Sequence, residues 1–534
     1  MTDKHELRST IFRHLDGLAT APVAVALQKK GILDYLLAHK EATLAELVSK
    51  FKANEGYLNV GLRILASQGF LDYHVDNESQ EIKFTLNAKS DIAFSWFHLY
   101  DDVVDLLHFS ANFHPRLFEE EPFKKLNAIF EKYKANYGFF FSDDQHTAAI
   151  QHQILKHIEG YLVGPTLVRL GMNGMFHKYF MEISFRPEEY HKSPELFVKI
   201  LDFFAYLGWF KEKNGNYQFT ETGLFFAKRA SAYGVTVSYL PTFAKIEELM
   251  FGNPAILRMQ PDGSDEIHVD REMNVWGSGG AHDTYFKVVD EILIHLFNLP
   301  IEEQPKGILD MGCGNGAFLQ HIFEVIDRQT LRGKMLDDYP LFLVGADYNQ
   351  AALKVTRSNL IKADIWAKVI WGDIGRPDLL SKDLEENYTI DLKDLLNVRT
   401  FLDHNRIWEH PKNVTDRVST STGAFAHRGM RISNNLVEDN LFEHLKKWSP
   451  YVSKFGLLLI ELHTINPALA ASHLGKSAAT AYDATHGFSD QFIVEIDVFN
   501  RVASEAGLFP DKTIFRRFPD SDIATVSINL LKGK

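Results

Sequence analysis

The strongest constraint on this chain is a glycine-rich turn between an apolar run and a helical run. Residues 308–318 read ILDMGCGNGAF, and the helical pattern FLQHIFEVI starts at the last of them. Gly312, Gly314 and Gly316 allow the backbone to turn sharply and let a ligand lie against it. The pattern predicts a strand, a tight turn and a helix of an α/β domain.

The glycine spacing and a neighbouring carboxylate restrict the kind of ligand. The spacing is G-x-G-x-G, whereas a dinucleotide fingerprint is G-x-G-x-x-G, in which the helix N-terminus holds a pyrophosphate. Asp310 lies two residues before the first glycine. A carboxylate at this place suits a ligand with an ammonium or other cationic end better than it suits a diphosphate.

The chain from residue 306 onward alternates short apolar runs with helical patterns. The apolar runs are GILDMG, FLVGAD, KVIWGD, LKDLLNV and GLLLIEL. Such alternation is typical of a parallel, doubly wound sheet with helices on both faces. We therefore expect an α/β fold with a Rossmann-like sheet in this half of the chain.

The sequence D-x-G-C-G-x-G resembles the cofactor loop of class I S-adenosylmethionine-dependent methyltransferases. The resemblance implies that S-adenosyl-L-methionine is the cofactor and that Asp310 and the three glycines lie against it. It also implies that Asp347, followed by Tyr348, meets the ribose hydroxyls after the second strand. Asp373 and Ile374, after the third strand, would meet the adenine. Three such elements in the correct order favour this reading over unrelated turns and caps.

The first 300 residues predict a mainly helical region with two winged-helix-like units. Thr43 and Glu46 form a capping-box pattern, and FLDYHV and EIKFTL alternate around the polar turn DNESQ as a wing would. GPTLVRLGMNGMFHKYF echoes the earlier APVAVALQKKGILDYLL, and Pro22 and Pro165 lie 143 positions apart. We interpret this repeat as an internal duplication.

The predicted domain boundaries follow from these patterns. They are a winged-helix-like unit at 1–95, a helical connector at 96–160, a second winged-helix-like unit at 161–235, a helical linker or lid at 236–300, and the cofactor domain at 301–534.

Residues after the fourth and fifth strands are the candidates for an acceptor site, because ligands bind outside the carboxyl ends of such strands. The whole arrangement resembles small-molecule O-methyltransferases with an N-terminal winged-helix dimerisation domain. That resemblance implies a homodimer, with His404 as general base and Glu461 as the acid that orients it. The family signature His-Asp-Trp is replaced here by Asp403-His404-Asn405. The alternative is that His404 is a structural or surface histidine.

A second group of polar residues lies in LHTINPALAASHLGKSAATAYDATHGFSDQF. Its small and turn-forming residues predict a long loop, and we expect NVWGSGGAH to be irregular as well. These stretches look similar to methyltransferase domains of polyketide-synthase loading modules, some of which carry iron or manganese. The resemblance leaves open a divalent metal, such as iron or manganese, on His404, His486 and Gln491. It would support C-methylation of a carrier-bound malonyl-type substrate. The alternative is that these groups only bond loop backbone.

The net charge and the cysteine count restrict the partners and cross-links that this chain can have. The net charge of −13 disfavours phosphate backbones and anionic membranes, so we expect no nucleic-acid or membrane partner and a cytoplasmic protein. The single cysteine, Cys313, excludes an intramolecular disulfide. We predict methyl transfer to an oxygen or enolate carbon of a small polyketide-type or other secondary metabolite, free or carrier-bound. The alternatives are a cofactor-binding protein without catalysis and a winged-helix regulator.

Overall fold

The computed structural model describes residues 3–107, 113–114, 117–118, 120–257 and 266–534. Its backbone forms two compact units. Unit 1 contains Met1–His282, Ala424–Ile432 and Asn466–Asp490, and unit 2 contains Asp283–Gly423, Ser433–Ile465 and Gln491–Lys534.

Unit 1 is mainly helical. Its helices are α1 (Lys4–Lys30), α2 (Ile32–His39), α3 (Leu44–Phe51), α4 (Glu55–Ser67), α5 (Ser90–Trp96), α6 (Asp101–Leu107), α7 (Glu120–Lys134), α8 (Gln145–Met172), α9 (Lys178–Glu182), α10 (Pro194–Tyr206), α11 (Glu221–Ala227), α12 (Ser231–Ser238), α13 (Leu240–Phe243), α14 (Ile246–Phe251), α20 (Pro467–Ser472) and α21 (Ala479–Gly487). Its strands are β1 (Glu41–Thr43), β2 (Asp72–Val75), β3 (Ile82–Thr85), β4 (Phe113–His114), β5 (Leu117–Phe118), β6 (Phe210–Lys213), β7 (Asn216–Phe219), β12 (Phe425–His427) and β13 (Met430–Ile432). Helix α15 (Arg271–Leu296) contains residues of both units.

Unit 2 contains helices α16 (Ala317–Gln329), α17 (Gln350–Lys362), α18 (Pro377–Tyr388), α19 (Asn434–Val452) and α22 (Ile496–Glu505). Its strands are β8 (Gly307–Met311), β9 (Phe342–Asp347), β10 (Lys368–Trp371), β11 (Leu395–Thr400), β14 (Leu457–Leu462), β15 (Phe509–Pro510), β16 (Arg516–Phe518) and β17 (Val526–Lys532).

Two wings lie in unit 1 where the sequence predicts them. Strands β2 and β3 pair antiparallel and, with β1, form a three-stranded sheet in the order β1-β3-β2. The capping box of Thr43 and Glu46 begins α3 as predicted. Strands β6 and β7 form the second antiparallel hairpin. The N-terminal region is therefore helical with winged-helix-like elements, as expected.

The duplicated sequence has a structural counterpart where α1 and α8 cross. A Cβ on Gly17 would lie 2.2 Å from the Cα of His157, and a Cβ on Gly160 would lie 2.4 Å from the carbonyl oxygen of His14. Each glycine therefore admits the backbone of the other helix. Both helices carry the pattern His-x-acid-Gly-x-x-x-x-Pro, at positions 14–22 and 157–165. In both copies the repeat therefore includes residues before the two similar segments that start at Ala21 and Gly164.

The sheet of unit 2 confirms the predicted α/β fold. Its strand order is β10-β9-β8-β11-β14-β17-β15, and β16 also pairs with β17. Neighbouring strands from β10 to β14 are parallel, whereas β17 is antiparallel to β14. Strands β8 and β14 are buried along their whole length, as expected where both faces of a sheet are covered. The carboxyl ends of β8 to β11 and of β14 therefore share one edge.

Two predictions of irregular chain are wrong. The stretch expected as a long loop after β14 forms α20 and α21, because its alanines are good helix formers and its small residues allow close packing. A Cβ on Gly487 of α21 would lie 2.7 Å from Val60 of α4. The sequence NVWGSGGAH lies inside α15 rather than in a loop. Within the described ranges, no helix is long and apolar enough to cross a membrane.

Candidate functional site

The glycine-rich turn lies between β8 and α16, as the sequence predicts. Gly312, Gly314 and Gly316 have φ angles of +82°, +55° and +80°, a region that favours glycine. A Cβ on Gly316 would lie 2.9 Å from Thr356, whereas a Cβ on Gly314 would meet no atom within 4 Å. Gly316 is thus required by packing, and Gly314 presents bare backbone to open space that a ligand can occupy.

Neighbouring elements hold this turn in place. The amide groups of Gly312 and Cys313 donate to the carbonyl oxygen of Ala346 on β9, at 2.7 and 3.1 Å. The hydroxyl of Thr356 on α17 donates to the carbonyl oxygen of Gly314 at 2.8 Å. Burial raises the pKa of the Cys313 thiol to about 12, with a further contribution from Asp310. Cys313 is therefore a small packing residue and not a thiolate nucleophile.

Asp347 lies beside this turn, at the end of β9. Its Oδ2 accepts the amide hydrogen of Gly314 at 3.0 Å, and its Oδ1 accepts that of Asn349 at 2.8 Å. Each carboxylate oxygen can accept more than one hydrogen bond. The side chain is consequently fixed beside the turn and retains capacity for two hydroxyl donors.

Asp310 on β8 is buried beneath the same turn. Its Oδ2 has no hydrogen-bond partner among the described residues. Burial raises the pKa of Asp310 to about 7, and the charge of Asp347 adds to the effect. A buried carboxyl with an unused oxygen is stabilised in its charged form by a cation. These properties fit a ligand with an ammonium or sulfonium group.

The next strand along the sheet edge carries the remaining predicted cofactor residues. Asp373 follows β10, and its Oδ1 accepts the amide hydrogen of Gly375 at 2.8 Å. Ile374 beside it is buried. Tyr348 is 59% exposed, and its ring lies 5.6 Å from that of Trp371. The turn, the two following acids and these apolar groups all lie at the carboxyl edge of the sheet.

The structure brings His404 and Glu461 together across 57 positions of sequence. His404 belongs to a 3₁₀ turn, Asp403–Asn405, after β11, and Glu461 lies in β14. The Nδ1 of His404 is hydrogen-bonded to Oε1 of Glu461, and both side chains are buried. The amides of Asp403 and Leu462 donate to the two oxygens of Glu461 at 3.0 and 2.7 Å. A carboxylate accepts only, so Nδ1 carries the hydrogen.

Comparison with known families assigns most of the chain. Residues 266–529 match the model of the AprA MT2-like domain, a methyltransferase family. Residues 159–253 match the AprA winged helix domain, and residues 7–73 match the AprA N-terminal domain.

This match places the similarity to a methyltransferase domain in residues 266–529. The protein is therefore an S-adenosylmethionine-dependent methyltransferase, and the turn and carboxylates described above fit that cofactor.

Solved structures similar to this chain include two O-methyltransferases and a polyketide synthase domain. The mitomycin 7-O-methyltransferase MmcR is 11% identical, with 72% of this chain and 99% of that chain covered at a TM-score of 0.41. An O-methyltransferase family protein from Burkholderia thailandensis is 11% identical, with 72% and 98% covered at 0.39. The citrinin polyketide synthase CMeT domain is 11% identical, with 81% and 98% covered at 0.35. No curated protein matches the sequence of this chain.

The predicted metal ligands of the methyltransferase fall into different units. His404 and Gln491 belong to unit 2, whereas His486 lies on α21 of unit 1. All three side chains are buried. In the part of the chain that the structure describes, no group of three or more His, Cys, Asp or Glu side chains could hold a metal ion. A metal site that combines His404 and His486 with the carboxamide of Gln491 is not a group of that kind, and it stays a prediction.

Sequence reasoning missed several buried polar residues of unit 2. Arg399 of β11 and Asp403 are both 0% exposed, and His444 of α19 is 5% exposed. The arginine in β11, whose sequence is LLNVRT, is a signal of this kind, because a fully buried arginine requires a partner. Asp403, four residues further on, was visible as part of the altered family signature.

Proposed function

We propose that the methyltransferase transfers a methyl group to an oxygen or an activated enolate carbon of a small acceptor. The acceptor class we propose is a polyketide-type or other secondary metabolite, either free or bound to a carrier. The observation that carries the proposal is the buried pair of His404 and Glu461 at the sheet edge that also holds the glycine turn. Such a pair is suited to removing a proton from the acceptor.

The cofactor is proposed to bind along the carboxyl ends of β8, β9 and β10. Asp310 would face the cationic amino-acid end of the cofactor. The cofactor would lie against the exposed backbone of the three turn glycines. Asp347, with Tyr348 next to it, would take the ribose hydroxyls. Asp373 and Ile374 would contact the adenine. When bound, S-adenosylmethionine supplies a methyl group on a positively charged sulfur that leaves as a neutral thioether.

The residues of this chain would manage the proton of the acceptor. Because Glu461 holds the hydrogen on Nδ1 of His404, the Nε2 of that ring would accept the proton from an acceptor hydroxyl or an acidic C–H. Glu461 would then stabilise the imidazolium that forms. The deprotonated oxygen or carbon of the acceptor would then take the methyl group that the bound cofactor would supply. Burial of the pair excludes water from this step.

The steps described above use neither the predicted second copy of the chain nor the predicted metal ion. The homodimer expected from the resemblance to winged-helix O-methyltransferases stays a prediction. The alternative of metal-dependent C-methylation, with iron or manganese on His404, His486 and Gln491, also stays a prediction. Elemental analysis of the purified full chain tests the metal directly.

The proposed base is tested with the variant His404→Ala. Purified protein is incubated with S-adenosylmethionine and either a simple phenol or malonyl N-acetylcysteamine thioester, and S-adenosylhomocysteine and methylated product are measured by mass spectrometry. We expect turnover to fall by about 10²-fold or more, the scale of a lost general base. Cofactor affinity by calorimetry should change less than about twofold, since His404 is not assigned to the cofactor. The control is His410→Ala, an exposed histidine of the same segment. Normal turnover in His404→Ala contradicts the mechanism.

The proposed ribose contact is tested with Asp347→Ala. Losing two hydrogen bonds to a charged acceptor should weaken S-adenosylmethionine binding by about tenfold or more, measured by calorimetry. The control is Asp338→Ala, an exposed acid in the connection before β9. Unchanged affinity in Asp347→Ala would place the ribose elsewhere.

A further inference from the structure

A buried cluster of charged side chains lies directly before His404. The guanidinium Nη1 of Arg399 donates to Oδ1 of Asp403 at 2.6 Å, and Nε2 of His444 donates to the same oxygen at 2.8 Å. Burial alone would raise the pKa of Asp403, but the charge of Arg399 and the bonds from His444 and Arg399 hold it well below its usual range. Asp403 is therefore ionised inside the core of unit 2.

Stability does not explain such a cluster. Removing an ion pair from water carries a penalty that its attraction does not always offset, and apolar replacements of similar volume are often as stable. The best-attested use of buried ionic groups is to select one conformation among several. The element that contains Asp403 here is the 3₁₀ turn Asp403–Asn405, which also contains His404.

The cluster is connected to the proposed base in two ways. Asp403 is the residue immediately before His404, so fixing its side chain fixes the backbone that positions the imidazole. The amide of Asp403 also donates to Oε2 of Glu461 at 3.0 Å. A shift of this turn would therefore disturb His404 and its acidic partner together.

The cluster is also connected to the proposed cofactor side. The guanidinium of Arg399 lies 3.9 Å from the ring centre of Trp448 on α19. The indole Nε1 of Trp448 donates to the carbonyl oxygen of Ile374 at 2.7 Å. One set of buried contacts thus joins the turn of the base to the residue assigned to the adenine.

We propose that Arg399, Asp403 and His444 are positioning residues that fix the turn carrying His404 and hold its imidazole against Glu461. This inference rests on the proposed function, which gives His404 its role. Charged groups around the turn come from every neighbouring element: Arg399 of β11, Arg406 after the turn, His444 of α19, and Glu461 and His463 of β14 and its end. The bond to Glu461 sets the tautomer of His404 as Nδ1–H.

The test is the tautomer of His404 in the full chain. Histidine is labelled with ¹³C and ¹⁵N, and the tautomer is determined by NMR at one fixed alkaline pH, without any acceptor. The resonance of His404 is identified by its loss in His404→Gln. We expect the Nδ1–H form in the wild type, and a mixture of both tautomers or the Nε2–H form in Asp403→Ala and His444→Leu.

Two further variants separate positioning from general damage. His444→Gln retains an N–H that can donate to Asp403, so the Nδ1–H form should be restored. Asp439→Asn removes another buried acid of unit 2, which pairs with Arg417 at 2.9 Å, and should leave the tautomer unchanged. Binding of S-adenosylmethionine within about twofold of wild type, by calorimetry, shows that each variant is folded.

The outcomes are distinguishable from those of the proposed function. If His444→Leu binds the cofactor normally and keeps the Nδ1–H form, the positioning role is wrong, even if Asp403→Ala fails to fold. The positioning role is also wrong if Asp439→Asn changes the tautomer of His404 as much as Asp403→Ala and His444→Leu do. Product formation by His404→Ala judges the proposed base separately, because the NMR measurement requires no methyl transfer.

Discussion

Replacing Asp310 with asparagine should remove a pH dependence of cofactor binding that the wild type shows. Asp310 is buried with a pKa of about 7, so its carboxyl is mostly protonated at pH 6. A cationic ligand prefers the ionised form and lowers the pKa of the carboxyl in the complex. Binding therefore releases a proton below pH 7, and the affinity rises as the pH rises toward 7.

The size of this effect follows from the fraction of ionised Asp310. With a pKa of about 7, roughly one carboxyl in eleven is ionised at pH 6 and half at pH 7, and the apparent affinity scales with that fraction. The Kd for S-adenosylmethionine should thus fall about fivefold between pH 6 and pH 7. About 0.9 proton should be released on binding at pH 6. The amino group of the ligand stays protonated over this range, because α-amino groups titrate near 8.

Calorimetry in buffers of different ionisation enthalpy measures both quantities. Titrations of wild type and Asp310→Asn with S-adenosylmethionine at pH 6 and 7 give Kd and the number of protons exchanged. Asp310→Asn should bind S-adenosylmethionine more weakly than the wild type does at pH 7. Residue 310 should then contribute neither a change of Kd with pH nor a released proton. A wild-type Kd that is the same at both pH values, with no proton released beyond that of Asp310→Asn, would refute the reasoning.

Three other substitutions test the structure at separate points. Gly314→Ala should fold, with a strain of about 1 kcal/mol from its left-handed backbone, but bind S-adenosylmethionine at least tenfold more weakly by calorimetry; unchanged Kd would contradict a ligand at that face. Gly160→Ala places a Cβ 2.4 Å from the carbonyl oxygen of His14, so thermal unfolding should show a loss of about 1–3 kcal/mol, larger than for Gly164→Ala. Burial raises the pKa of Asp16 to about 7, so this carboxyl should make wild-type stability against urea decline between pH 4 and 7 by up to about 1.4 kcal/mol per unit; Asp16→Asn should lose that contribution and keep the one from Asp310.

The parts that the sequence predicts well are local. The glycine turn, Asp310 and the individual strands depend on residues close together in the chain, so their pattern is visible without the fold. Asp347 and Asp373 each follow an apolar run, and the parallel pairing of those runs brings their ends to one edge. His404 and Glu461 were paired only through the family resemblance, and the structure shows their hydrogen bond.

The parts that the sequence does not predict depend on long-range packing. The bond between Asp403 and His444 joins positions 41 apart, and no local period signals it. The sequence predicts a loop at α21 because glycine, serine and aspartate, which are common in turns, lie among the alanines in and around it. Asp483 of α21 forms a buried ion pair with Arg63 of α4, which explains why this segment belongs to unit 1.

The repeated pattern in unit 1 shows how equivalent sequence positions can acquire opposite electrostatics. Asp16 and Glu159 are the acids of the repeated pattern on α1 and α8, and burial opposes the charge of both. Glu159 nevertheless has a pKa of about 2, because a bond from His14 at 3.0 Å and one from Lys156 at 2.7 Å favour its charge. Asp16 has a buried Oδ1 without a hydrogen-bond partner among the described residues, and its pKa is about 7. The two copies therefore share the glycine crossing that joins the helices, whereas the charge beside each crossing is decided by the partners that other elements supply.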